Sequence, residues 1–151
     1  MGVALLPDYQ TKIYQLNPQS TRLKDVLDSI TVAEPRYKWS VEDGVVNLIP
    51  RTIDLPLLDV PINEFQAENS RIEYLFDKLE AKAEVRQRAE QLNLKYKEFK
   101  FYVSLTGKAD LSLSCKDTNV KQLLNTIAKL RNTIWFYREY NDKGEKYYSF
   151  S

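Results

Sequence analysis

Two stretches of this chain repeat one pattern. Arg22-Leu-Lys-Asp-Val-Leu-Asp-Ser-Ile30 sets apolar residues at 23, 26, 27 and 30, and Asn119-Val-Lys-Gln-Leu-Leu-Asn-Thr-Ile127 sets them at 120, 123, 124 and 127. Both follow the i, i+3, i+4, i+7 spacing of an amphipathic helix with one buried stripe. Ser20 or Thr21 would cap the first helix, and Asp117 or Thr118 the second. Each is followed by an aromatic-rich segment, a glycine turn and a second such segment. In the first copy these are Tyr37–Val41, Glu42-Asp43-Gly44 and Val45–Ile49; in the second, Ile134–Tyr137, Asn141–Gly144 and Tyr147–Phe150. This is the signature of a β-hairpin closed by a turn that needs positive φ.

A strand is expected before each helix, at 11–16 in the first copy and at 111–115 in the second, where Leu111, Leu113 and Cys115 alternate with serines. The repeated unit is then β-α-β-β. Neither copy is long enough to close a good core alone, so the two should pack together or share a sheet. Trp39 and Trp135 fall at matching places and are expected to be buried in a shared core. The fold class is therefore α+β, with small mixed or antiparallel sheets. Three segments follow: a first module at 10–50, a linker strand and helix at 51–97, and a second module at 98–151.

Within the middle segment, Leu57–Phe65 reads as a strand interrupted by Pro61. Asn69 or Ser70 would cap a helix with Ile72, Leu75, Phe76 and Leu79 on one face, and Ser70-Arg-Ile-Glu73 has capping-box spacing. Helix-forming residues continue to Leu94, and the pattern leaves one helix or two open. Alternation from Phe99 to Leu105, with a turn at Gly107, predicts a hairpin over 98–115.

Composition narrows the chemistry. The chain of 151 residues has no histidine and four glycines. Lacking histidine, it holds no Ser-His or Cys-His nucleophile, HExxH zinc site or Cys2His2 finger. Glycines so scattered build neither a phosphate-cradling loop nor a dinucleotide turn. The carboxylate pairs Asp25/Asp28 and Asp77/Glu80 are helical neighbours on wet faces, and Asn141–Glu145 lacks the length of a calcium loop. No catalytic, cofactor or metal residue is therefore assigned. Cys115, the one cysteine, is in phase with two leucines and reads as a small buried hydrophobe. Residues 54–81 carry seven acids against two bases, and 82–138 twelve bases against five acids, although the net charge is +1. Solvated helix faces account for such runs, and a charged protein partner or self-association would also use them. No stretch has the length of a membrane span, and Val3–Leu6 is too short for the apolar core of a signal peptide.

The line Leu111–Ile127, with its "LxxLLxxI" helix, and the aromatic hairpin to Phe150 resemble the secretin and TonB short N-terminal domain. Residues 13–49 resemble it more loosely. The resemblance implies a non-enzymatic docking module of a bacterial cell envelope, in or facing the periplasm; the alternative location is cytoplasmic. Expected partners are another protein or a second copy of the chain. The expected contact residues are Tyr137, Arg138, Tyr140, Tyr147 and Tyr148, with Tyr140, Tyr147 or Tyr148 partly exposed. The rival is single-stranded nucleic-acid binding, because Lys95, Lys97, Lys100 and Lys108 flank Tyr96, Phe101 and Tyr102, and Arg131, Trp135, Tyr137 and Arg138 mix cations with rings.

Overall fold

The two hairpins predicted after the amphipathic helices form, and the same turn closes each. The computed structural model describes residues 1–7, 22–98 and 110–151. In chain order its elements are β1 (Gly2–Leu5), α1 (Leu23–Ala33), β2 (Tyr37–Glu42), β3 (Val45–Pro50), β4 (Pro61–Ser70), α2 (Ile72–Glu80), α3 (Ala83–Gln91), β5 (Leu94–Tyr96), β6 (Leu111–Asn119), α4 (Val120–Arg131), β7 (Trp135–Asp142) and β8 (Glu145–Phe150). Asp43-Gly44 joins β2 to β3 with φ of 53° and 77°, and Lys143-Gly144 joins β7 to β8 with 52° and 86°. Positive φ at both central residues matches the right-handed twist of the flanking strands.

Among the described residues the main sheet runs β2-β3-β1-β7-β8-β5, and β4 and β6 form a separate antiparallel pair. The sheet is two equivalent triplets laid side by side. In the first, hairpin β2–β3 carries β1 parallel to β3; in the second, hairpin β7–β8 carries β5 parallel to β8. β1 also pairs in parallel with β7, so it joins the halves. Strand order is kept between triplets while strand direction reverses. One triplet is thus turned over relative to the other, and equivalent residues lie on opposite faces.

A strand precedes α4 as expected, within β6, but the short strands that join the two hairpins in the main sheet are others. These are Gly2–Leu5 and Leu94–Tyr96. The expected strand at 11–16 lies outside the described residues, as do residues 99–109 of the expected hairpin. The strand at 111–115 exists within β6, yet pairs with β4 rather than with its own hairpin. It belongs there because Leu113 faces the same core as Ile62, Phe65 and Ala67 of β4.

In the middle segment β4 begins at Pro61, where a missing N–H costs the ladder nothing. Asn69 caps no helix; it sits at φ 44° where the β4–β6 register shifts. Arg71, not Ser70, occupies the N-cap of α2, without a side-chain bond. Two helices follow. Continuing α2 unbroken would turn Lys82 and Arg86 inward. The break at Ala81 re-aims the helix so that Val85 and Ala89 are buried, while Arg86 reaches back to Glu80 at 3.1 Å.

Helix α4 is capped by Asn119 rather than Asp117 or Thr118: its side chain accepts from Gln122 N–H, and Gln122 returns a bond to Asn119 N–H. At its other end Asn132 takes the left-handed conformation (φ 50°) often given to glycine. The N-terminal boundary of α1 is Arg22, without a side-chain cap, and Ser20 and Thr21 lie outside the described residues.

One core joins α2, α3, α4 and the β4–β6 pair to one face of the sheet, here called the inner face. Ala4, Trp135, Tyr137, Tyr148 and Phe150 supply that face. α1 lies on the outer face over β2, where it buries Leu27. The tryptophans show the turned-over repeat directly. Trp135 is fully buried on the inner face and donates its indole N–H to Asn125 of α4 at 2.9 Å. Trp39 lies on the outer face, half-buried, and donates to Asp28 of α1 at 2.9 Å. Asp28 and Asn125 are matching positions of the two helices. The expectation of two tryptophans in one shared core is therefore corrected: each locks its own helix to its own face.

Candidate functional site

Strand alternation decides which of the expected contact residues reach a surface. Along β7 and β8, Tyr137 pairs with Phe150 and Glu139 with Tyr148, and this set points inward. Arg138 pairs with Ser149 and Tyr140 with Tyr147, and this set points outward. Tyr137 and Tyr148 are 0% and 1% exposed, so both are core residues and are removed from the contact set. Burial pushes both phenols above the ordinary tyrosine range. Tyr96, half-buried beside Tyr148, is pushed up to about 12 by the same cause. Arg138, Tyr140 and Tyr147 stay together on the outer face, at the opposite end of the sheet from α1.

There they form a built cluster. The rings of Tyr140 and Tyr147 stack with centroids 5.6 Å apart and an interplanar angle of 26°. The Arg138 guanidinium lies 4.4 Å from the Tyr140 centroid, and its Nε donates to Ser149 Oγ at 3.2 Å. Lys97, just past β5, sits 5.0 Å from the Tyr147 ring and 5.9 Å from the Tyr140 ring. Such contacts are worth about 0.5–1 kcal/mol each at exposed sites, so the patch is modestly preorganised.

Carboxylates complete it. Lys97 pairs with Asp142 at 3.1 Å, and Lys95 pairs with Glu145. Tyr147 donates its hydroxyl to Glu145 at 2.6 Å. The lysine bond, then the tyrosine bond, holds the Glu145 carboxyl below the usual range, and the same carboxylate raises the Tyr147 phenol. Lys95 and Lys97 were legible in the sequence as members of a basic aromatic run. Asp142 and Glu145 were read only as turn residues, because their role depends on β5 lying beside β8. Lys100, Phe101, Tyr102 and Lys108 lie outside the described residues, and Trp135 is buried.

Elsewhere, a shallow hollow is lined by Lys38, Arg51, Lys121, Asp54 and Asp59. Arg51 is engaged by the carbonyls of Pro35 and Tyr37, and Lys121 by Glu42 at 2.8 Å. Cys115 is half-buried against the core, and burial pushes its thiol up, away from thiolate character. No helix among the described residues is long and apolar enough to cross a membrane. Comparison with known proteins gives no matching family model, no matching curated protein and no matching solved structure.

Proposed function

We propose that the chain is a non-catalytic docking module that binds a protein partner through the outer face of the β7–β8 hairpin. The observation that carries this is the Arg138–Tyr140–Tyr147–Lys97 cluster, in which Lys97 is paired with Asp142 and the neighbouring Lys95 with Glu145. Tyrosine and arginine are enriched among residues that dominate protein interfaces, where a rigid ring supplies contact area at low entropic cost.

The same details weigh against single-stranded nucleic acid. Binding a phosphate chain needs cations to neutralise phosphates and ring faces open to bases. Here Lys95 and Lys97 have carboxylate partners, while Arg138 and Lys97 lie against the rings. The fitting occupant is a polypeptide presenting an apolar side chain beside a carboxylate or backbone carbonyl. A docking module is also what the resemblance to secretin and TonB short N-terminal domains implies, and with it a place in a bacterial envelope.

The test is retention from envelope and cytosolic extracts on immobilised wild-type chain, Tyr140→Ala/Tyr147→Ala and Tyr74→Ala, with and without nuclease. Tyr74 is a control aromatic, 63% exposed on α2. The expected result is a protein retained despite nuclease, weakened at least about 30-fold by the hairpin variant, as for a hot spot of about 2 kcal/mol, and unaffected by Tyr74→Ala. Equal retention by the hairpin variant refutes the assignment. Nuclease-sensitive retention with a steep salt slope transfers it to nucleic acid.

A further inference from the structure

The other end of the sheet carries a separate feature, independent of the hairpin cluster. Among the described residues β2 pairs with β3 alone, so its far side is a sheet edge. Edge strands offer unpaired backbone groups and are ordinarily guarded. β5, the opposite edge, is guarded: it is three residues long and carries Lys95. β2 is twice that length and leaves Val41 58% exposed. On α1, one turn on from the Asp28 that holds Trp39, Val32 is 81% exposed on the same outer face.

The backbone phase of β2 follows from its neighbour. Arg51 N–H donates to the Arg36 carbonyl at 2.7 Å, so Arg36, Lys38, Ser40 and Glu42 turn their peptide groups toward β3. Pro50 stands opposite Tyr37, a position from which no donor is required. Trp39 and Val41 therefore direct their backbone groups outward, while the Tyr37 carbonyl accepts from the Arg51 guanidinium at 3.3 Å.

From Lys38 to Glu42 the strand reads cation, aromatic, small, aliphatic, anion. That order is self-complementary in an antiparallel pairing about Ser40. Lys38 of each copy falls opposite Glu42 of the other, and Trp39 opposite Val41. Trp39 and Val41 are the residues whose N–H and C=O face out, so they make the hydrogen-bonded pairs, and Ser40 meets itself on the two-fold axis. Ser40 Oγ donates to Glu42 at 3.1 Å and Lys121 holds the same carboxylate at 2.8 Å, which fixes it at the edge. Lys38 has no ion pair among the described residues.

We infer that β2 is a homodimer seam, in which a second copy of this chain adds its own β2 antiparallel to the first and the two sheets become one. The closed, isologous geometry consumes both edges and stops at two chains.

Sedimentation velocity on the full chain over a concentration series tests it. Wild type is expected to show a concentration-dependent dimer. Lys38→Glu, which sets like charges opposite at two symmetric places, should weaken it at least about tenfold, and Lys38→Glu/Glu42→Lys should restore it. In a Cys115→Ser background, Ser40→Cys should form an inter-chain disulfide under mild oxidation, because opposed residues at a non-hydrogen-bonded position lie about 4.5 Å apart at Cα. Circular dichroism checks that each variant is folded. A wild type that stays monomeric throughout overturns the seam. So does a dimer indifferent to Lys38→Glu, or one in which Ser40→Cys does not cross-link.

Discussion

Substituting Gly2 by alanine tests the joint between the two halves of the sheet. Gly2 lies on β1 opposite Asn47 on one side and Trp135 on the other. A Cβ built there would sit 2.2 Å from Trp135 Cζ2, 2.3 Å from Cε2 and 2.5 Å from Asn47 Oδ1. Contacts between such atoms are normally about 3.5–4.0 Å, so more than an ångström of movement is required. Trp135 cannot yield cheaply, being fully buried with its indole N–H committed to Asn125. Overpacking of this kind costs about 1–3 kcal/mol, and disturbing the indole bond adds about 1. Gly2→Ala should therefore destabilise by about 2–4 kcal/mol, whether Trp135 shifts or β1 peels away. The assay is urea unfolding followed by tryptophan emission, with a lower midpoint and an unchanged slope expected. The control is the same change in a Trp135→Phe background, with Trp39 as reporter. Phenylalanine lacks the part of the ring that the new methyl would strike, so there Gly2→Ala should cost clearly less, with only the contact to Asn47 Oδ1 remaining. Equal cost in both backgrounds, or a negligible cost in the wild type, refutes the steric account.

The two tryptophan locks should differ in strength and in pH response. Asn125→Ala leaves a buried indole donor unpaired and should cost about 1–3 kcal/mol in urea unfolding, whereas Asp28→Ala should cost less because the Trp39 indole is half-exposed and has water to turn to. Lys24, then Trp39, lowers the Asp28 pKa. The stability Asp28 contributes is therefore present above its unfolded pKa of about 3.9 and lost as pH falls through the lower folded value. Trp39 emission should change only in that acid range, and Asp28→Asn should abolish the change. At the end of α4, Asn132→Ala should lower stability by about 1–2 kcal/mol in the same unfolding assay, and Asn132→Gly should not, because φ is positive there.

Local pattern carried much of the fold into view. The apolar stripes of α1 and α4 and the glycine turns at Gly44 and Gly144 are decided by residues close in sequence, and they appear where the periodicity puts them. The two short strands that extend the hairpins were not read, for a matching reason. Gly2–Leu5 and Leu94–Tyr96 are four and three residues long, too short to show alternation, and both are strands because a hairpin remote in sequence pairs with them. Leu111–Cys115 alternates clearly, but alternation names a face and not a neighbour, and its neighbour is β4. Pairing partners are chosen by the core, and the core is not local.

The tryptophans and the tyrosines follow from one further step that periodicity does not contain. Two copies of a β-α-β-β unit can continue a sheet with their strands in the same sense or in opposite senses. Here the short strand β1 pairs in parallel with both β3 and β7, which forces the second unit to be turned over. From that single choice Trp135 goes inward while Trp39 goes outward. Alternation along β7 and β8 then sends Tyr137 and Tyr148 into the core and leaves Arg138, Tyr140 and Tyr147 outside. It also leaves the two sheet ends chemically unlike. One is a three-residue strand guarded by lysine, the other a longer strand whose charges and apolar groups answer one another about Ser40. Similar units turned over do not make equal surfaces, and the proposed partner site and the inferred seam therefore fall on unlike ends of one sheet.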